Sequence, residues 1–259
     1  MTQYFFVLAD AELELIPKEL LKERCIINNA RARDKAPEKI LLDASHHHPA
    51  FEKLRESDRR GRPDIVHFFL MLCMDSDLSA EGKLKVFVHT RNNDIIAVNP
   101  ETRLPPHYPR FIGLIETLYE KHVVPSRENA LLELRQDVAL DTLVNALKPD
   151  EIVILDPAGE QGLLPEQFAA VKGERVVVII GGFSKGTFRS DLSKLKATRI
   201  SLGPRMMKVW TVAAKCLCAI DMSAKLAELK PPAAEAAAPK AKATPKPSKP
   251  RRAPKKKAA

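Results

Sequence analysis

Residues 176–210 read VVVIIGGFSKGTFRSDLSKLKATRISLGPRMMKVW, and the fold turns on them. The β-branched run at 176–180 predicts a fully buried strand. It ends at Gly181-Gly182, where the backbone can turn tightly and lie close to a ligand, and Gly186 follows five positions after the first. A second short strand, residues 198–202, ends in the breaker Gly203-Pro204. A helical pattern comes next, with Met206, Val209, Trp210, Ala213, Leu217 and Ile220 on one face. Two strand ends with glycine-lined loops and a following helix predict an α/β fold with a largely parallel sheet. Ligands of such sheets bind at the carboxyl ends of the strands. No Gly-Lys-Ser/Thr follows the glycines, and GGFSKG is not GxGxxG, so the common phosphate and dinucleotide loops are excluded.

The chain has 259 residues and a net charge of +9. Residues 231–259 hold nine Lys/Arg and one Glu, +8 of that total, which leaves +1 for residues 1–230. This terminal stretch is Ala/Lys/Pro-rich without apolar periodicity, and it predicts a disordered basic tail after one domain over 1–230. Cys25, Cys73, Cys216 and Cys218 form no CxxC pair and predict buried, reduced thiols of an intracellular protein. The start of the chain has no basic region ahead of its apolar run, and the apolar run at 65–74 is too short to span a bilayer. No membrane partner is expected.

Along the chain, residues 4–9 predict a strand, then an acidic helix to about Lys22, then a short strand at 39–42. His46, His47 and His48 predict a polar turn rather than a metal site, because adjacent histidines point apart and no acid or cysteine sits at a ligand spacing. KLRESDRRGRPD at 53–64 is the densest charge cluster. Its Lys53–Arg60 part reads equally as a solvated helix face or as RNA contact. Pro63 suits the first position of a buried helix, with Asp64 in its first turn. Residues 85–89 and 95–98 predict a hairpin. Pro100, Pro105, Pro106 and Pro109 predict a stiff loop that carries Arg103 and Arg110 with His107 and Tyr108 between them, a pattern suited to splayed RNA bases. Amphipathic helices are predicted at 113–123 and 126–147, and a buried strand at 151–155. The stronger expectation for Asp156 is a cap on the next turn.

GGFSKG resembles the Gly-x-Phe-x-x-Gly loop, and RISLGP the second cofactor segment, of the SPOUT methyltransferases. Within them the chain most resembles the ribosome-biogenesis family that methylates the N1 atom of pseudouridine in small-subunit ribosomal RNA. LLDASHHHPAFEKL, RGRPDIVHFFL, MDSDLSAEGKLKVFVHT, NPETR and RFIGL resemble further segments of that family, in its order, across nearly all of 1–230. The resemblance implies a carboxyl-terminal trefoil knot, a homodimer with the site at its interface, and S-adenosylmethionine as cofactor. It places the knot and cofactor site at about 150–225, and a hairpin-rich, RNA-facing elaboration at about 40–110. It assigns the cofactor to Leu155, Gly181, Gly182, Gly186, Arg199, Ile200, Ser201, Leu202, Gly203 and Pro204, and RNA to Arg60, Arg62, Asp64, Arg103 and Arg110. Arg62 and Asp64 are its catalytic candidates, with Asp64 as either base or orienter. The sequence departs at Pro106, where relatives usually carry a third arginine. No metal is implied. The expected compartment is the cytoplasm, or the nucleolus in a eukaryote. Two alternatives are a ribosome-assembly RNA-binding protein with a vestigial site, and a SPOUT enzyme acting on transfer RNA or a ribose hydroxyl.

Overall fold

A computed structural model describes residues 2–203 and 205–229, with the side chains of 226–229 excepted. The first half runs β1 (Gln3–Ala11), α1 (Arg24–Ala32), α2 (Ala44–His47), α3 (Pro63–Met74), α4 (Asp77–Ala80), β2 (Leu84–Thr90) and β3 (Ile95–Val98). Then come α5 (Tyr108–Lys121), β4 (Val123–Val124), β5 (Leu132–Arg135) and α6 (Leu140–Ala146). The last part is β6 (Glu151–Gln161), α7 (Leu164–Ala170), β7 (Arg175–Gly181), β8 (Thr198–Ser201) and α8 (Val209–Leu229).

The eight strands form one sheet in the order β4-β5-β3-β2-β1-β7-β6-β8. From β2 to β8 all neighbours are parallel, with Phe6 between Val86 and Val178 and with Leu155 beside Ile200. The β3, β5 and β4 pairings are antiparallel. Parallel strands are buried on both faces and so read as unbroken apolar runs. Here Phe6, Leu8, Val176, Val178 and Ile180 pack under α3, α5 and α8. Phe5, Val7, Ala9, Val177 and Ile179 pack on the other face with Leu140, Leu143 and Val144 of α6. A small third cluster around Ile16, Leu20, Ile26, Leu42 and Phe51 closes the region before α3.

Several elements differ from expectation. The acidic helix through residue 22 is absent: only a single turn, Lys18–Leu20, forms there, and Glu12 and Glu14 are buried. Their carboxylates meet buried arginines and not water, so the acids mark an ion cluster instead of a solvated helix face. The strand at 39–42 reduces to one bridge between Leu15 and Leu41. The helix at 126–147 is β5 followed by the short α6. Leu132 and Leu134 are buried with period two, and Asp137 breaks the chain at φ 56°. Conversely α5 begins inside the proline loop, because Pro109 fits the first turn of a helix. The β2–β3 hairpin, expected in an elaboration, belongs to the main sheet. The expected tail after residue 230 lies outside the described residues. Among the described residues no helix is long and apolar enough to cross a membrane.

Candidate active site

The carboxyl ends of β7 and β8 flank an irregular stretch of β6, where its pairing with β8 shifts register between Leu155 and Glu160. These segments enclose a cavity of about 380 Å³, within the roughly 300–1,000 Å³ of small-molecule sites. Leu155 to Ala158 come from the irregular middle of β6, Ile180 to Phe188 from the end of β7 and the loop after it, and Ile200 to Gly203 and Arg205 to Met207 from the end of β8 and the segment after it, while Val209 and Val212 of α8 complete the lining. The lining is mostly apolar, with Phe183 and Phe188 packed edge to face at 5.3 Å between centroids.

Of the residues the sequence assigns to the cofactor, Leu155, Gly181, Gly186, Ile200, Leu202 and Gly203 line this cavity. Gly182, Arg199 and Ser201 do not line it, and Pro204 lies outside the described residues. Gly182 is where β7 passes the end of β1. A Cβ there would come 2.7 Å from the Cα of Ala11, so only glycine allows this approach. Gly186 holds φ +80°, which disfavours any side chain. The Ser201 hydroxyl donates 3.1 Å to the Pro157 carbonyl and accepts 3.2 Å from the Gly203 amide, tying two of the loops together. Arg199 Nη1 donates 2.6 Å to Asp156 Oδ2. Asp156 Oδ1 in turn accepts from the Ala158 amide at 2.9 Å, a turn cap with no helix behind it. Asp10 anchors the far end of the β7 loop by accepting from the amides of Arg189 (2.7 Å) and Ser190 (3.0 Å). The sequence assignment omits Phe183, Phe188, Met206, Met207 and the helix residues. The expected face of α8 signalled Met206 and Val209, but the helix begins only at Val209, and Met206 sits in the extended segment before it.

A second cavity, about 370 Å³, opens at the start of α3 between Asp43, Arg62, Asp64, His67, Phe68, Pro106 and Tyr108. Arg62 and Asp64 form a two-point pair, Nε to Oδ1 at 2.8 Å and Nη2 to Oδ2 at 2.7 Å, both partly exposed. This hydrogen bond raises the Arg62 pKa and holds the guanidinium charged. The Tyr108 hydroxyl donates 2.7 Å to Asp43 Oδ2. Burial first, then the Asp43 carboxylate, pushes its phenol pKa up. His67 Nε2 meets the Pro105 carbonyl at 2.9 Å, and its ring stacks 4.4 Å from that of Phe111. Pro106 is part of the wall as well.

Arg103 and Arg110 are exposed on either side of Tyr108. Arg60, assigned to RNA, is instead 9% exposed and paired through Nε (2.8 Å) and Nη2 (2.7 Å) with Glu14. The reason is the pair of buried acids at the end of β1, which draw Arg59, Arg60 and Arg91 inward.

The chain is similar to known proteins over most of its length. A model of the EMG1/NEP1 methyltransferase family matches residues 6–221. The ribosomal RNA small subunit methyltransferase Nep1 of Pyrococcus furiosus is 44% identical over 208 residues, 80% of this chain and 91% of that one. The protein of the same name from Methanothrix thermoacetophila is 42% identical over 211 residues, 82% of this chain and 92% of its own. Among solved structures, Archaeoglobus fulgidus Nep1 bound to S-adenosylhomocysteine superposes with a TM-score of 0.75 at 34% identity, covering 86% of this chain and 99% of the other. With the strand order, the looped cavity and these similarities in agreement, the chain belongs to the EMG1/NEP1 methyltransferase family.

Proposed function

We propose that this protein transfers the methyl group of S-adenosylmethionine to the N1 atom of a pseudouridine in small-subunit ribosomal RNA, during assembly of that subunit. The observation that carries the reading is the cavity between the carboxyl ends of β7 and β8 and the irregular middle of β6. Six of the residues that the sequence assigns to the cofactor line it. Its apolar and aromatic walls suit an adenine ring and a thioether, and its glycine-rich rim lets backbone groups approach a ligand. The cofactor, when bound, supplies a methyl group already activated by a sulfonium.

The protein's own contribution is then alignment. Holding two reacting groups in line supplies about 7–11 kcal/mol. Gly181, Gly186, Ile200, Leu202 and Gly203 fix the cofactor side. On the RNA side the second cavity, with Tyr108 and Phe68 in its wall and Arg62 held flat by Asp64, suits a base turned out of its stack. Arg103 and Arg110 meet the phosphates beside it. The protein works as a homodimer in the cytoplasm, or in the nucleolus of a eukaryote. Dimerisation is supported by apolar side chains left exposed, Phe68 (packed on Trp210) and Met206 in the walls of the two cavities and Met222 on α8.

The test is methylation of synthetic small-subunit RNA fragments with pseudouridine or uridine at the same position, read by mass spectrometry, with light scattering for the dimer. Methylation of the pseudouridine RNA alone is expected. Equal methylation of both would favour an enzyme acting on ribose or transfer RNA. Tight RNA binding with no cofactor binding would favour an assembly factor.

A further inference from the structure

One side chain from the first third of the sequence reaches the middle of the cavity-forming loop after β7. Arg59 is 6% exposed and pairs with Glu12, which is fully buried. Its Nη1 donates 3.1 Å to the carbonyl of Thr187. Its guanidinium lies over the ring of Phe183, 4.5 Å from the centroid. A Cβ built on Gly186 would sit 3.3 Å from the same Nη1. Phe183, Gly186 and Thr187 all line the cavity, and Arg59 does not.

Neutralising Glu12 does not by itself require this arginine. Arg91 pairs with the other oxygen of Glu12 and also with Glu56, and among the described residues it makes no hydrogen bond to residues 181–188. Moreover Arg59 Nη2 is buried with no partner among the described residues. The arrangement spends the planar fork on the loop: one edge on a carbonyl, one face on an aromatic ring. Lysine, a point charge, can do neither in this way.

We propose that Arg59 is the positioning residue of the β7 loop, holding Phe183 and Thr187 where they form the cofactor cavity. As a statement about cofactor binding this rests on the function proposed above. As a statement about the loop it does not. Arg59→Lys keeps a charge for Glu12 and removes the fork. Arg91→Lys is the control: it alters the same ion cluster with no hydrogen bond to residues 181–188, and because its partner Glu56 also pairs with Arg189 the comparison is confined to residues before 189.

Two measurements decide, amide hydrogen exchange over residues 183–188 in the unliganded protein and calorimetric titration with S-adenosylhomocysteine. Exchange in the loop should rise about tenfold or more in Arg59→Lys, and affinity should fall by a similar factor, while Arg91→Lys leaves both near wild type whatever it does to the melting temperature. If Arg59→Lys does not fold, Arg59→Met with Glu12→Gln removes charge and counter-charge together and takes its place. The proposal is overturned if the loop exchanges as in wild type, or if both single variants loosen it equally. Wild-type protein that fails to bind S-adenosylhomocysteine would overturn the cofactor reading, and the exchange comparison would still decide the role of Arg59.

Discussion

Arg62 and Asp64 face each other across the first turn of α3 in a flat, two-point pair. Both oxygens of Asp64 are engaged by one guanidinium, and the pair is only partly shielded from water. A carboxylate held this way is arranged to orient an arginine, and proton abstraction would require it to let go. Asp64→Asn is therefore expected to weaken RNA binding and slow methylation together, by about 1–3 kcal/mol in all. The measurements are RNA affinity and the single-turnover rate. Normal RNA affinity with a rate reduced by about 10²–10⁴-fold would make Asp64 the base. A change confined to a fraction of a kcal/mol of stability, roughly the scale of a helix-dipole effect, would leave it neither role.

Gly186→Val should abolish cofactor binding with the fold kept. The residue sits at φ +80° on the cavity rim, so a branched side chain strains the backbone and crowds Arg59. Calorimetry with S-adenosylhomocysteine, set beside a melting curve, is the check. A variant that melts early yet binds normally would reduce Gly186 to a turn residue.

Arg103→Gln and Arg110→Gln should each weaken RNA binding evenly across RNA sequences. Both arginines are exposed, so each is free to release a counterion on meeting a phosphate. Each loss should flatten the slope of log affinity against log salt by about 0.7–0.9. Arg60→Gln should leave that slope unchanged and lower stability, because Arg60 is bonded to Glu14 inside the fold. An equal change of slope in all three variants would contradict the burial of Arg60.

His47 makes stability depend on pH. It is 1% exposed, its Nδ1 accepts from the Asp43 amide at 3.0 Å, and Nε2 has no partner among the described residues. Burial pushes its pKa down to about 4, partly opposed by Asp43, while the unfolded value is about 6.5. Between those values the unfolded chain binds the extra proton. The contribution of neutral His47 is thus complete above about pH 6.5 and is lost as pH falls towards 4. His47→Gln keeps an acceptor that cannot charge, so its urea midpoint should drop less between pH 7 and 4.5. An unchanged drop would show that other groups carry the acid sensitivity.

The cofactor end was legible in the sequence because its signals are local. A β-branched run that stops at Gly181-Gly182 and a strand that stops at Gly203 each declare a loop at a strand's carboxyl end. The helix start at Pro63 was equally local. The fate of KLRESDRR was not. Its charges read as a surface because acids and bases alternate, and the buried Glu12 and Glu14 that pull Arg59 and Arg60 inside lie more than forty residues away. Residues 126–147 misled for a related reason. Leu132 and Leu134 fit a helix until β3 offers them an antiparallel partner. Phe183 stood in the motif that resembles a cofactor loop but was not singled out as a wall, and Phe188 gave no signal, since only the folded loop brings both to the cavity.

The central place of β1 has a consequence for synthesis of the chain. Phe5, Phe6, Val7 and Leu8 lie between Lys85–Val88 on one side and Val177–Ile180 on the other. A growing chain makes β1 well before β7. At about 5–20 residues per second, one hydrophobic flank of β1 stays without its native neighbour on the order of 10–30 s. During that interval the nascent protein presents an open, apolar strand edge, the template on which other chains aggregate. The sheet is thus completed only when β7 arrives, and β1 is the segment that needs shielding until then.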